Sequence, residues 1–157
     1  MLPQRTKRPN YDFALDLPIA RKTEYEISVL FGKYYGYKTE MFCNTRDYDL
    51  LLSKGESQIS VEVKEDFTCE KTGNVGVEFR CRGKDSGIRT TRADYYVYKV
   101  HAKSGIEFLM ISVEKLRSMI DKELYHRVVV GGDRDSNSMN YLFHLETFRK
   151  HSRRVFQ

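Results

Sequence analysis

Ile59-Ser60-Val61-Glu62-Val63-Lys64 alternates apolar and polar residues without a break. Successive side chains on a strand point to opposite faces, so Ile59, Val61 and Val63 are predicted to enter a core while Ser60, Glu62 and Lys64 share the other side. Lys54-Gly55-Glu56 reads as a hairpin turn back to a strand over Tyr48 to Leu52, and Tyr37 to Cys43 supplies a further strand. Upstream, Ile27, Leu30, Phe31 and Tyr34 recur at helical spacing within Ala20 to Tyr35, and Gly36 stands where a left-handed cap belongs.

Downstream, Val75, Val77 and Phe79 mark another alternating strand over Val75 to Arg82. Lys84 to Arg92 is polar and suits a short helix starting near Ser86. Strands follow over Tyr95 to Val100 and Ile106 to Ser112, and Ser112 can cap a helix reaching about Leu124. A strand pair, Arg127 to Val130 with Met139 to Leu145, flanks Gly131-Gly132, and the tail from Glu146 reads as helix. This order of elements indicates an α/β (α+β) fold with a mixed sheet.

The length of 157 residues suits a single domain. It divides into an N-terminal arm (1–15), a core (16–112) and a C-terminal extension (113–157). No apolar run approaches the ~20 residues of a membrane span, so no membrane is expected. With no apolar stretch behind the N-terminal basic residues, a cytoplasmic protein is expected. The three cysteines, Cys43, Cys69 and Cys81, form no CxxC pair and read as reduced thiols.

Lys and Arg number 27 against 22 Asp and Glu, and the excess is clustered. Arg5, Lys7 and Arg8 lie at one end and Arg149, Lys150, Arg153 and Arg154 at the other. Arg80, Arg82, Lys84, Arg89 and Arg92 lie between them, leaving the remainder net acidic. Such patches suit a polyanionic partner, although charge alone fits solvated faces and chain ends equally well.

Asp49 and Glu62 fall on neighbouring strands joined by a turn, which brings two carboxylates within reach of one hard cation, and the carbonyl of Val63 offers a third oxygen. Lys64 projects beside them, placed to position or deprotonate a water or to neutralise charge on a phosphate under attack. In the first helix Glu24 and Glu26 are both candidates. Glu24 is phased with Ile27, Leu30 and Phe31, and Glu26 is turned roughly 200° away, which selects Glu24.

Asp49 followed by Glu62-Val63-Lys64 resembles the signature of the PD-(D/E)XK nuclease superfamily. The stretch from Arg21 to Lys64 resembles in particular its archaeal Holliday-junction resolvases, in which a helix bearing a glutamate ends in Gly and an aromatic, as at Gly36-Tyr37. Tyr48 stands where the signature has proline, and Gly83 to Tyr95 is more similar to small phage-encoded nucleases of the superfamily. The resemblance implies a restriction-endonuclease-like core, a central mixed sheet flanked by helices, and a Mg²⁺-dependent DNA endonuclease in which Mn²⁺ substitutes.

Glu24, Asp49, Glu62 and Lys64 are then its catalytic residues, with Asp49, Glu62 and the Val63 carbonyl, joined by Glu24, as metal ligands. Arg80, Arg82, Lys84, Ser86, Arg89, Thr90 and Arg92 are expected to contact DNA phosphates, with Thr91 as a further hydroxyl. A structure-selective enzyme of the resolvase kind, working as a homodimer or higher homo-oligomer, is expected first. The alternatives are a sequence-specific restriction-like or homing endonuclease of phage or mobile-element origin, and a DNA-binding module without catalysis.

Overall fold

The structure, a computed structural model, describes residues 19–43, 45, 47–131 and 137–157. The N-terminal arm lies outside the described residues, as do Gly132 and the four residues after it.

Helix α1 (Ile19–Tyr35) lays Ile27 and Phe31 on one face of a sheet, against Leu50, Leu52, Val61, Val63 and Val97. It stops at Gly36, whose φ of 73° few residues other than glycine adopt readily, and the Tyr37 N–H turns back to the Phe31 carbonyl. Strands β1 (Lys38–Phe42), β2 (Leu50–Lys54) and β3 (Ser57–Asp66) then form an antiparallel meander. The β2–β3 turn places Gly55 at φ 60° between Lys54 and its partner Ser57.

After β3 the chain leaves this sheet. A one-turn helix α2 (Cys69–Thr72) leads into β4 (Asn74–Cys81), and Arg82-Gly83, both at positive φ, turn it into the short β5 (Lys84–Asp85). A 3₁₀ turn (Gly87–Arg89) returns the chain to β6 (Tyr95–Ala102), which runs parallel to β3 and pairs with β7 (Gly105–Ser112). Ser112 accepts the Lys115 N–H and starts α3 (Val113–Asp121), which ends before Glu123 at φ 54°. Strands β8 (Arg127–Gly131) and β9 (Ser138–His144) come next, followed by α4 (Leu145–His151) and the short β10 (Arg153–Arg154).

Two sheets result, with strand orders β1-β2-β3-β6-β7-β10 and β5-β4-β9-β8. The first is mixed, so the fold is α+β with a central mixed sheet, as the alternation patterns indicate, and a second, four-stranded sheet accompanies it. Helix α1 covers one face, and on the other Tyr96, Tyr98, Leu109 and Ile111 bury against Val75, Val77, Phe79 and Phe143 of the second sheet, with Leu116 of α3 and Phe148 of α4. All three cysteines are free thiols. No helix among the described residues is long and apolar enough to cross a membrane.

Candidate functional site

Strand β3 outruns its partner. The β2 ladder begins at Leu50 opposite Val61, so the β2 side of β3 is open from residue 62 onward. Asp49 fills the first place beyond the ladder. Its N–H donates to the Val61 carbonyl at 3.0 Å, and its Oδ2 accepts the Val63 N–H at 2.8 Å. A strand residue points its N–H and C=O to the same side, so the Val63 carbonyl also faces Asp49 with no β2 partner there.

Three carboxylates meet at this edge from different layers. Glu24 arrives from α1 on one face, while Glu62 and Lys64 project from the other face, in register with Tyr96 and Tyr98 of β6. A cleft of about 340 Å³ is lined by all four side chains and Val63, with Thr23 and Glu65 beside them. Glu26, the alternative helix glutamate, instead accepts from Lys99 Nζ at 2.7 Å.

The crowding is unfavourable to negative charge. Glu24, only 5% exposed, is pushed up to about 7 by burial and by the charge of Asp49, against the pull of Arg21 3.5 Å away; when protonated it donates to Asp49. Glu62 is pushed up to about 7 by burial and by Asp49, with Lys64 and a Thr91 hydroxyl at 3.3 Å opposing. Burial raises Asp49 as well, although the Val63 N–H and Lys64 favour its charged form. Lys64 makes no ion pair within 4.0 Å among the described residues, so its ammonium acts on the cluster as a whole.

Among the described residues no three His, Cys, Asp or Glu side chains are gathered closely enough to enclose a metal on their own. The donor set here is smaller and entirely oxygen: Asp49, Glu62 and the Val63 carbonyl. That set fits Mg²⁺, which keeps several of its waters and takes one or two carboxylates. Charge on Asp49 is the largest cause after burial for both glutamates, so Asp49→Asn is expected to bring the midpoints of Glu24 and Glu62 down from about 7. Carboxyl ¹³C shifts in metal-free protein report this, and unmoved midpoints would mean that burial alone sets them.

Thr91, grouped in the sequence with the phosphate-contacting hydroxyls, is 5% exposed. Its hydroxyl is shared between the Asp47 carbonyl and Glu62, and Arg117 reaches from α3 to the carbonyls of Ile88 and Thr91. Thr91 is therefore a positioning residue for Glu62. Beneath Glu24, Glu65 accepts a short bond from Thr23 Oγ1 and lies 2.7 Å from His101 Nε2, which ties the start of α1 to the sheet. Neither link has a local sequence signal, because both join residues far apart in the chain.

The basic loop is another matter. Arg80, Arg82, Lys84, Ser86, Arg89, Thr90 and Arg92 do not line the carboxylate cleft. Arg89 pairs with Asp85 at 3.1 Å and stacks over Phe79, while Ser86 donates to Glu78 and Thr90 to the Gly87 carbonyl. Arg80 donates to the Gly83 carbonyl. Lys84, Arg82 and Arg92 are exposed and have no side-chain partner among the described residues. The 3₁₀ turn ends at Arg89, so Arg89 and Arg92 do not share a helical face.

No protein-family model matches this chain, and no curated protein matches it. Among solved structures it is similar to a bacterial homing endonuclease, I-Ssp6803I, at 19% identity and a TM-score of 0.43, over 64% of this chain and 68% of that one. A likeness of that degree carries no functional argument, and the reading that follows rests on the cleft.

Proposed function

We propose that the protein is a metal-dependent DNA endonuclease of the PD-(D/E)XK kind. One observation carries the reading: Glu24, Asp49, Glu62 and Lys64, from a helix, a strand approach and two places on one strand, line the same cleft. A solvent-facing Glu-Lys pair on a surface strand would not bring two further carboxylates to it.

Asp49, Glu62 and the Val63 carbonyl would hold Mg²⁺. When bound, that ion supplies charge stabilisation at the scissile phosphate and a more acidic water. The chain's own residues do the rest. Thr91 holds Glu62 in place, Glu24 carries or receives a proton at its carboxyl beside Asp49, and the Lys64 ammonium stabilises charge developing on the phosphate. Lys84, Arg82 and Arg92, the cations of the 80–92 segment without a side-chain partner among the described residues, are assigned to flanking phosphates.

The substrate is proposed to be DNA cut structure-selectively by a homo-oligomer. A second reading, a sequence-specific enzyme, is favoured by one feature. A groove of about 610 Å³ runs from Lys64 along the second sheet, past Glu78 and Asn140. The Asn140 amide has no hydrogen-bond partner among the described residues, and a free amide of this kind can read adenine.

A cleavage panel tests both readings: supercoiled plasmid, linear duplex, single strand and four-way junction, each with Mg²⁺, Mn²⁺ or Ca²⁺. Cutting with Mg²⁺ and Mn²⁺ is expected, with the junction preferred over its arms. Cutting confined to one duplex sequence would establish the second reading. A gel shift without cutting on any substrate would leave a binding module.

A further inference from the structure

Helix α1 covers only part of its sheet face, and where it ends a different cleft opens. It lies at the start of β3, about 16 Å along the strand from Lys64. Its volume is about 540 Å³, in the range of small-ligand sites.

Tyr35, Tyr37 and Tyr95 line it beside Phe31, Ile59 and Met110, and Lys54, Lys115, His151 and Arg153 are the basic residues of the lining. No carboxylate lines this cleft, whereas the neighbouring one over Gln58 carries Asp94, Glu114 and Asp121, and those at Lys64 carry several. The cations are not committed elsewhere. Lys115 and Arg153 are exposed and have no side-chain partner among the described residues. Lys54 lies over the Tyr37 ring at 5.8 Å. His151 Nδ1 is bound to the Thr147 carbonyl, and Nε2 has no hydrogen-bond partner among the described residues. The tail cluster divides accordingly: Arg149 and Arg154 are both held by Glu107, while Arg153 turns to this cleft.

We propose that this cleft binds a nucleotide, with the base against the tyrosines and the phosphate between Lys115 and Arg153. A flat aromatic group with an attached anion satisfies both halves of the lining. An inorganic anion leaves the tyrosines unused, and an apolar ligand leaves the cations unpaired. The inference is independent of the nuclease reading.

The source is either a free mononucleotide or an unpaired nucleotide of a strand. Calorimetry on the full chain in EDTA, with AMP and with 5′-phosphorylated dT₄, distinguishes them. Saturable binding of at least one is expected. The double variant Lys115→Ala/Arg153→Ala, which breaks no side-chain hydrogen bond or ion pair among the described residues, should weaken it about ten-fold or more and flatten the salt dependence of the strand's binding by about 1.4 in slope. Binding of AMP alone assigns a free nucleotide, and binding of dT₄ alone assigns a strand. Absence of saturable binding by both, or binding that the double variant leaves unchanged, overturns the proposal. Lys64 does not line this cleft and the titration in EDTA reads binding without cutting, so this test and the cleavage test fail separately.

Discussion

Lys64→Ala is expected to lower the cleavage rate by about 10²- to 10³-fold, the loss typical of removing one preorganised charge from a transition state. Its affinity for DNA in Ca²⁺ should hardly change. Lys64 forms no ion pair or hydrogen bond among the described residues, so its removal leaves no partner stranded, and melting should shift little. What it does supply is field: its charge opposes the elevation of both Asp49 and Glu62. Lys64→Arg, whose planar fork spreads the same charge over a larger group, should restore only part of the rate. Binding that falls in step with cutting would make Lys64 a ground-state phosphate contact. Undiminished cutting would move the active site elsewhere.

How much of this arrangement a reader of the sequence can see depends on the distance over which each contact acts. The α1 helix and its Gly36 stop, and the alternation that orients Glu62 and Lys64, are set by residues a few places apart, so periodicity reveals them. The choice of Glu24 over Glu26 also follows from phase. The second sheet does not. Strand β4 reads as a strand from Val75, Val77 and Phe79, but its partner β9 lies some sixty residues downstream, and nothing local chooses that partner over β3 or β6. The same limit hides Thr91 and Arg117, which position Glu62 from a loop and from α3. Local composition shows only part of the 80–92 segment: its five cations read alike in sequence, yet Arg80 and Arg89 also meet the loop's own carbonyl and carboxylate. Strand β2 begins at Leu50 rather than Tyr48, and Asp49 just before it meets β3 through both its N–H, on the Val61 carbonyl, and its carboxylate, on the Val63 N–H.

Arg149→Ala is expected to cost about 3 kcal/mol of stability, or about 10 °C in Tm. Glu107, 3% exposed on β7, is gripped side-on by the Nε–Nη2 edge of the Arg149 guanidinium, Nε to Oε1 at 2.7 Å and Nη2 to Oε2 at 2.8 Å. Arg154 adds a longer contact at 3.3 Å from a half-exposed side chain, so after truncation the buried carboxylate keeps that one partner among the described residues. Arg154→Ala should accordingly cost under about 1 kcal/mol. The Arg149 hydrogen bonds hold Glu107 below the ordinary carboxylate range. Because the folded value is depressed, this stabilisation is complete above the unfolded carboxylate value of about 4.3 and is lost as pH falls through the folded one. Urea denaturation at pH 7 and at pH 3 should therefore show a wide gap between wild type and Arg149→Ala that narrows in acid. A gap equal at both values would assign the loss to packing of the arginine stem instead. The effect should also reach the cleft. The Glu107 clamp fixes α4 and β10 to β7, Phe156 beyond them packs edge-on against Phe31 at 5.0 Å, and Phe31 is on the helix that carries Glu24. If this C-terminal tie helps seat α1, the variant should lose cleavage at temperatures well below its own melting point, whereas Arg154→Ala should not.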